Sequence, residues 1–195
     1  MLVLPAGNPG FLSKANAEAQ GTGPGDTQQQ QQFCSRPLSE FASVIRGTSN
    51  NDVLVGTGKP DLILGFEGND QIMGNAGNDC LIGGDGDDGV IGNEGNDMIF
   101  GGSGIDEMSG GPGDDTMFGE DGSDVLYGND GNDRMSGGEN NDLMYGGPDN
   151  DKMEGSAGND TLYGHDGDDG LNGGADDDEC FDQVGSNWIA NCENP

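Results

Sequence analysis

The chain has very few basic residues. Its 195 residues include six lysines and arginines against 37 aspartates and glutamates, which gives a formal net charge of −31 at pH 7. Nucleic acids and anionic membrane surfaces are bound by basic protein surface. The charge balance therefore excludes nucleic acid as a partner and favours cations.

Large apolar residues are also scarce. Leucine, isoleucine, valine and phenylalanine together contribute 34 of the 195 residues, which is below the level expected of a globular domain that folds without a bound metal. No run of about 18 apolar residues occurs, so the sequence predicts no insertion into a membrane. A chain of this composition is expected to be disordered until something binds its folded form.

Glycine and aspartate, in contrast, are abundant and strictly spaced. From Gly47 to Gly173 every ninth residue is glycine, fifteen times without an insertion. We number each nonapeptide from this glycine as slots one to nine, and slot six is then always aspartate. Slot eight carries an apolar side chain or cysteine in every repeat: Leu54, Ile63, Ile72, Leu81, Val90, Ile99, Met108, Met117, Leu126, Met135, Met144, Met153, Leu162, Leu171 and Cys180.

The period predicts an alternation of turn and strand. Slots one to six hold glycine, asparagine and aspartate, which adopt positive φ or bond their own backbone and therefore form a tight turn. Slots seven to nine predict a three-residue strand whose slot-eight side chain points into the core. Repeat n then stacks on repeat n+2. The predicted fold class is all-β, a parallel β-roll: a right-handed β-solenoid with two parallel sheets and one short strand per nonapeptide.

The aspartate column predicts metal binding. Stacked turns bring aspartates 18 residues apart within one strand spacing, about 4.8 Å, where like carboxylates repel unless a cation lies between them. Calcium takes six to eight oxygen ligands in flexible cages, whereas Mg²⁺ tolerates such cages poorly, and no thiolate or imidazole column favours zinc or copper. The predicted metal ligands are Asp52, Asp70, Asp79, Asp88, Asp97, Asp106, Asp115, Asp124, Asp133, Asp142, Asp151, Asp160 and Asp169, with weaker binding at Asp61 and Asp178.

The number of calcium ions is bounded by the number of turns. Fifteen half-sites, each paired with the turn two repeats later, allow at most 13 ions. Their charge of +26 nearly cancels the net −29 of the repeats, which hold 32 acidic and three basic residues. Asp61 is expected to bind weakly because Lys59 and Pro60 place a cation and a fixed φ in its turn.

The pattern glycine-glycine-x-glycine-x-aspartate-x-apolar-x resembles the repeats-in-toxin (RTX) calcium-binding nonapeptide-repeat family, also called the hemolysin-type calcium-binding region. The resemblance covers 135 of the 195 residues. It implies a calcium-binding β-roll, and members of this family accompany secreted proteases, lipases, toxins and adhesins. The chain is accordingly expected to be secreted or on a cell surface.

Four cysteines allow three pairings. The resemblance implies that Cys180 pairs with Cys192, because related chains end in a segment similar to residues 191–193 here. Cys34 and Cys80 would then form the second pair. An oxidising exterior with millimolar calcium suits both the disulfides and the calcium sites.

The sequence predicts four segments. They are a disordered leader or linker at 1–38, an N-terminal cap strand at 39–46, the fifteen-nonapeptide β-roll at 47–181 and a C-terminal cap at 182–195. Continuing the register backwards places Ile45 in slot eight and predicts a first strand over residues 43–46. Continuing it forwards places Ile189 in slot eight, with Trp188 beside it to shield the open end.

Slot nine carries a second pattern. One sheet is predicted to present an aromatic ladder on its outer face, and the other sheet an apolar stripe. Either the stacked side chains stabilise neighbouring strands, or they form a docking face for a protein or carbohydrate partner. The ladder is Tyr127, Tyr145, Tyr163 and Phe181, and the stripe is Leu64, Ile82, Phe100 and Phe118.

No arrangement of residues predicts catalysis. His165 is the single histidine and occupies a turn slot with varied occupants, without the helper groups that nucleophilic or acid–base catalysis requires. The sequence therefore predicts a non-enzymatic, extracellular calcium-binding β-roll that folds when Ca²⁺ binds. The alternatives are the accessory C-terminal roll of a secreted exoenzyme or toxin, and an adhesive module that uses the slot-nine ladder.

Overall fold

The computed structural model describes residues 34, 36–183, 185 and 187–193. The predicted leader lies largely outside these residues, and of residues 1–35 only Cys34 is described; it is buried and disulfide-bonded. Residues 36–195 form a separate unit that contains every strand described below. Within the described ranges, no helix is long and apolar enough to span a bilayer.

In the part of the chain that the structure describes, seventeen strands form two parallel sheets, as the period predicts. The nine-stranded sheet contains, in spatial order, β1 (Ser43–Arg46), β3 (Asp61–Glu67), β5 (Cys80–Asp85), β7 (Met98–Ser103), β9 (Thr116–Asp121), β11 (Arg134–Glu139), β13 (Lys152–Ala157), β15 (Gly170–Ala175) and β17 (Trp188–Ala190). The eight-stranded sheet contains β2 (Val53–Val55), β4 (Gln71–Ala76), β6 (Gly89–Glu94), β8 (Glu107–Ser109), β10 (Val125–Tyr127), β12 (Leu143–Pro148), β14 (Thr161–Asp166) and β16 (Glu179–Phe181). Successive strands alternate between the sheets, so two nonapeptides make one coil of the solenoid.

The register between neighbouring strands is 18 residues throughout. Ile72 on β4 lies opposite Leu54 on β2 and Val90 on β6, and every other pair of neighbours repeats this offset. The offset confirms that repeat n stacks on repeat n+2. Residues in the same slot therefore form straight rows along the solenoid.

Most strands are longer than the three residues predicted, although β2, β8, β10, β16 and β17 have that length. Ten of them span six residues, from slot seven to slot three of the next repeat, as in β4. The prediction assigned slots one to three to the turn because glycine is frequent there. Slot two does have positive φ, including at Phe66 (85°), Glu120 (77°) and His165 (74°), but the backbone beyond it still pairs with the next coil, as Ala76 does with Glu94.

The slot-eight column is the core, as predicted. All fifteen of its side chains, from Leu54 to Cys180, are buried in one cluster between the sheets. Ile45 and Cys192 pack against the two ends of this cluster. Slot eight therefore supplies the whole interface between the two sheets.

The outer faces of the two sheets differ. On the eight-stranded sheet, Tyr127, Tyr145, Tyr163 and Phe181 are half-buried and stack with ring centroids 5.0–5.1 Å apart. The prediction of an exposed apolar stripe on the nine-stranded sheet is wrong for part of its length, because Leu64 is 1% and Phe100 8% exposed. Phe100 stacks on Phe118 at 5.1 Å, and Phe118 and Ile82 are half-buried.

The N-terminal end agrees with the predicted cap strand. Strand β1 spans residues 43–46, as expected, and its Val44 pairs with Leu62 on β3. A 3₁₀ helix at Leu38–Glu40 precedes it, and Phe41 behind this helix is buried. Arg36 Nη1 donates a hydrogen bond of 2.8 Å to the carbonyl oxygen of Asn78. This contact fixes the segment before the helix to a turn of the solenoid.

The C-terminal end is closed by a disulfide. Cys180 and Cys192 are bonded, as predicted, with their Cα atoms 5.7 Å apart, and Cys80, like Cys34, is also disulfide-bonded. The expectation that Trp188 shields the open end is wrong, because its slot-seven side chain points out of the coil and is 63% exposed. Ile189, in slot eight of the same strand, remains 41% exposed.

Candidate metal centres

Slot six places the aspartates in two straight rows, one along each edge of the solenoid. Each aspartate comes directly before a strand, except Asp61, which is the first residue of β3. Asp52 is half-buried. The other fourteen have exposed fractions of at most 3%: Asp61, Asp70, Asp79, Asp88, Asp97, Asp106, Asp115, Asp124, Asp133, Asp142, Asp151, Asp160, Asp169 and Asp178. Burial of so many carboxylates requires compensating partners.

One oxygen of nearly every aspartate has a peptide partner. The backbone N–H of Asp115, for example, donates to Oδ1 of Asp133 at 2.8 Å, and Asp133 donates in turn to Asp151. Thirteen such bonds of 2.7–2.9 Å connect aspartates 18 residues apart. The sequence indicated that these aspartates are neighbours. It did not indicate that Oδ1 of each one accepts a hydrogen bond from the backbone of the previous coil.

The second oxygen, Oδ2, has no hydrogen-bond partner in thirteen of the aspartates. These oxygens are buried, and they belong to Asp70, Asp79, Asp88, Asp97, Asp106, Asp115, Asp124, Asp133, Asp142, Asp151, Asp160, Asp169 and Asp178. A buried carboxylate oxygen without a donor is costly unless a cation binds it. The thirteen oxygens are therefore the strongest candidates for metal ligands in the described residues.

The first two repeats are different. Thr48 donates its N–H and Oγ1–H to Oδ2 of Asp52, at 2.6 and 2.8 Å. Thr57 does the same for Asp61, at 2.5 and 2.8 Å. A slot-two threonine thus takes the place of a cation at these aspartates. The prediction of weak calcium binding at Asp61 did not use these hydrogen bonds, which give it a further physical reason. The same reason applies to Asp52.

Each Oδ2 faces a small cradle of main-chain oxygen. A Cβ added to Gly146 in slot one would meet both Oδ2 of Asp151 and, at 2.9 Å, the carbonyl oxygen of Gly164 in the next coil. The other slot-one glycines of the interior have the same carboxylate in front of them. Only glycine leaves this space open for an ion between carboxylate and carbonyl.

The electrostatics of the rows favour a divalent cation. Burial raises the pKa of Asp115, Asp142 and Asp151 to about 8, because the charged form loses hydration, and neighbouring aspartates in the row raise it further. Burial likewise raises the pKa of Asp97 and Asp106 to about 7. A bound cation would remove this penalty and keep the carboxylates ionised.

The donor set fits calcium. No group of three or more histidine, cysteine, aspartate or glutamate side chains converges within the described ranges, so an ion here must draw on main-chain carbonyls as well as carboxylates. Calcium accepts six to eight oxygen ligands, including backbone carbonyls, in irregular cages. The residues present therefore fit Ca²⁺.

A second ladder, which the sequence analysis missed, runs along the outside of the turns. Slot-five asparagines and aspartates accept the backbone N–H of the residue 18 positions later. Asn96 N–H donates to Asn78 Oδ1 at 3.2 Å, and Asp168 N–H donates to Asn150 Oδ1 at 2.8 Å. Asparagine or aspartate fills slot five in most repeats, so a signal was present. This ladder satisfies turn amides and leaves slot six for the ion.

Comparison with known proteins agrees with this geometry. The family model of the RTX calcium-binding nonapeptide repeat matches four times, at residues 46–81, 81–108, 109–144 and 145–180. A comparison with curated proteins finds none that matches the chain. The four matches span strands β2 to β15 and both aspartate rows. The chain therefore belongs to the RTX calcium-binding nonapeptide repeat family.

Proposed function

We propose that this chain is an extracellular calcium-dependent β-roll, a structural and interaction module without catalytic activity, whose repeats fold as Ca²⁺ binds between stacked turns. The observation that carries the proposal is the set of thirteen buried Oδ2 oxygens without hydrogen-bond partners. Eleven of them, from Asp70 to Asp160, face a turn of the fifteen repeats, and those of Asp169 and Asp178 face the turns that follow the last repeat. We therefore assign one ion to each of these oxygens.

The ion-free roll is expected to be unstable. An uncompensated buried ion costs several kcal/mol, and a domain is stable by only about 5–15 kcal/mol in total. Thirteen such costs exceed that margin several-fold, and protonation of the aspartates at neutral pH would offset only part of them. Calcium binding thus supplies folding free energy directly.

The extracellular location is supported by two independent features. The described cysteines are all disulfide-bonded, and disulfides persist in oxidising compartments. Calcium sites built largely from carbonyls and single carboxylates suit the millimolar calcium found outside cells. Both features favour a secreted or surface-bound chain.

The non-enzymatic role is supported by the placement of the residues that could have served chemistry. His165 lies in slot two of a turn, and its ring stacks against Tyr145 and Tyr163 with centroids 6.0 and 6.1 Å away. The slot-six aspartates have one oxygen in the peptide ladder and the other at a cradle. His165 and the slot-six aspartates therefore have structural roles in these positions.

Native mass spectrometry in calcium and in magnesium tests the proposal. The full chain is expected to bind on the order of 13 Ca²⁺ ions and far fewer Mg²⁺ ions. Asp133→Asn is expected to lose at least one ion, whereas Asp130→Asn, the same charge change at an exposed slot-three position, is expected to keep the full number. Equal numbers for both metals, or no bound calcium, would contradict the proposal.

A further inference from the structure

The turn at residues 182–187, beyond the fifteenth repeat, departs from the repeat at two ligand-bearing slots. Slot one is Asp182 where every repeat has glycine, and slot six is Asn187 where every repeat has aspartate. The neutral amide of Asn187 removes the carboxylate on which the interior sites depend. The carboxylate of Asp182 returns one negative charge to the same turn.

At the described residues of this turn, 182, 183, 185 and 187, the main chain nevertheless keeps the geometry of the repeats. Gly185, in slot four, has φ of 139°, and the slot-four glycines of earlier turns are also positive. Asn187 Oδ1 accepts the N–H of Asp169 at 3.0 Å, as the aspartates do elsewhere. Trp188 N–H donates to the carbonyl oxygen of Asp169 at 2.9 Å. The turn is therefore stacked on the preceding coil as another repeat would be.

Asp182 directs its carboxylate into the cradle of that preceding coil. The point where Gly164 would carry a Cβ lies 2.7 Å from Oδ2 of Asp169 and 3.1 Å from Cγ of Asp182. In the interior, the corresponding neighbour is a main-chain carbonyl, such as Gly164 O, which lies 2.9 Å from that point at Gly146. A carboxylate thus stands where the repeats supply a carbonyl.

The cradle also contains a buried oxygen that lacks a donor. Asp169 is 2% exposed, and its Oδ2 has no hydrogen-bond partner. Two carboxylates that face each other in a buried space favour a cation between them.

We propose that Asp182 completes the calcium site of Asp169 at the C-terminal turn, where its slot-one carboxylate replaces the missing slot-six carboxylate. This inference rests on the proposed function, because it assumes that the interior turns bind Ca²⁺. The ion is the one already assigned to Oδ2 of Asp169, whose partner turn lies beyond the fifteen repeats, so Asp182 adds a ligand and not a further ion. Because the site offers two carboxylates, it holds that ion at least as tightly as an interior turn with one free carboxylate oxygen.

Counting bound calcium by native mass spectrometry tests this site. Asp182→Asn removes the charge, and Asp182→Gly restores the slot-one residue of the repeat. Asp166→Asn is the matched control, since it removes the same charge from an exposed position in the adjoining turn. The double variant Asp182→Gly/Asn187→Asp converts the turn into a standard repeat.

The expected result is one ion fewer than wild type for Asp182→Asn and for Asp182→Gly, with the wild-type number for Asp166→Asn and for the double variant. An unchanged ion number in both single variants would overturn the inference and leave the proposed function standing. A wild-type chain without calcium would instead refute the proposed function. If neither single variant folds in calcium, the double variant decides: recovery of fold and ion number supports the site, and failure to recover overturns it.

Discussion

At the scale of the residue, slot-one glycine is required by the ion cradle and not by backbone conformation. Positive φ occurs at slots two and four, whereas the slot-one glycines lie outside that region. What excludes a side chain at slot one is the carboxylate of slot six and the carbonyl of the next coil. The slot-one glycine and the slot-six aspartate are therefore both invariant in the repeats because they form one site.

This account predicts that Gly146→Ala is destructive. Its Cβ would overlap Oδ2 of Asp151 and approach the carbonyl oxygen of Gly164 to 2.9 Å, so we expect the loss of one ion and roughly 1–3 kcal/mol of stability in calcium. Gly170→Ala is the control, because the nearest atoms to its Cβ lie 3.9 Å away. Urea unfolding in calcium measures both, and equal midpoints would contradict the account.

Aspartates whose Oδ2 is already hydrogen-bonded should be dispensable for metal binding. Asp61 accepts two bonds from Thr57, while Oδ2 of Asp79, one coil further, has no hydrogen-bond partner. We expect Asp79→Asn to reduce the number of bound calcium ions and Asp61→Asn to leave it unchanged. Isothermal titration calorimetry gives both stoichiometries. The loss of an ion in Asp61→Asn alone would refute the distinction.

Calcium affinity should rise with pH. Burial raises the pKa of Asp115, Asp142 and Asp151 to about 8 in the ion-free fold, well above about 4 in an unfolded chain. Stability of the ion-free fold is therefore greatest below about pH 4 and is lost as the pH rises through 8. Calcium must displace the retained protons, so titration at about pH 5 should give at least about tenfold weaker binding than at about pH 8. A pH-independent affinity would contradict the burial of these carboxylates.

At the scale of the element, the strict period allowed much of the fold to be predicted. It placed Ile45 in β1, paired each strand with the one 18 residues away, and identified the core column. It could not give strand length, because the frequent glycine of slots one to three predicts a turn, whereas the backbone there pairs with the next coil. Nor do side chains such as Phe66 and His165 in slot two indicate a positive φ. Nor could it give the burial of Leu64 and Phe100, because the repeat does not encode what lies against the outer face.

The aromatic ladder on the eight-stranded sheet is expected to stabilise that sheet. Tyr145 stacks on both Tyr127 and Tyr163 at 5.1 Å, so Tyr145→Ala should cost roughly 1–3 kcal/mol for two stacked pairs. Tyr145→Phe keeps both pairs and should retain nearly full stability. Thermal unfolding in saturating calcium compares the two variants. An alanine variant as stable as wild type would favour a role for the ladder other than support.

The candidate site was predictable in outline and not in detail. The column of aspartates and its spacing predicted the two rows of carboxylates and calcium as the metal, because position in a row follows from the period alone. The sequence does not show that Oδ1 accepts a peptide hydrogen bond while Oδ2 has no partner, nor that Thr48 and Thr57 donate to Oδ2. These contacts depend on side-chain orientation at distances of about 3 Å. The role proposed for Asp182 was overlooked for a related reason, since it occupies a slot where the repeat has only glycine.

At the scale of the whole molecule, the fold is a stack of coils in which each contacts mainly its neighbours. Its core is one side chain thick, and its two edges carry the buried carboxylates. Stability in such a stack is the sum of contributions from each coil and each interface. Because every interior interface includes a cation cradle, the account predicts that folding and calcium binding are one transition.

Circular dichroism of the full chain during a calcium titration, with magnesium as the control, tests that claim most directly. The account predicts a disordered spectrum in chelator at neutral pH, a cooperative change to a β-rich spectrum as calcium is added, and little change with magnesium. A β-rich spectrum in chelator, unaltered by calcium, would contradict it.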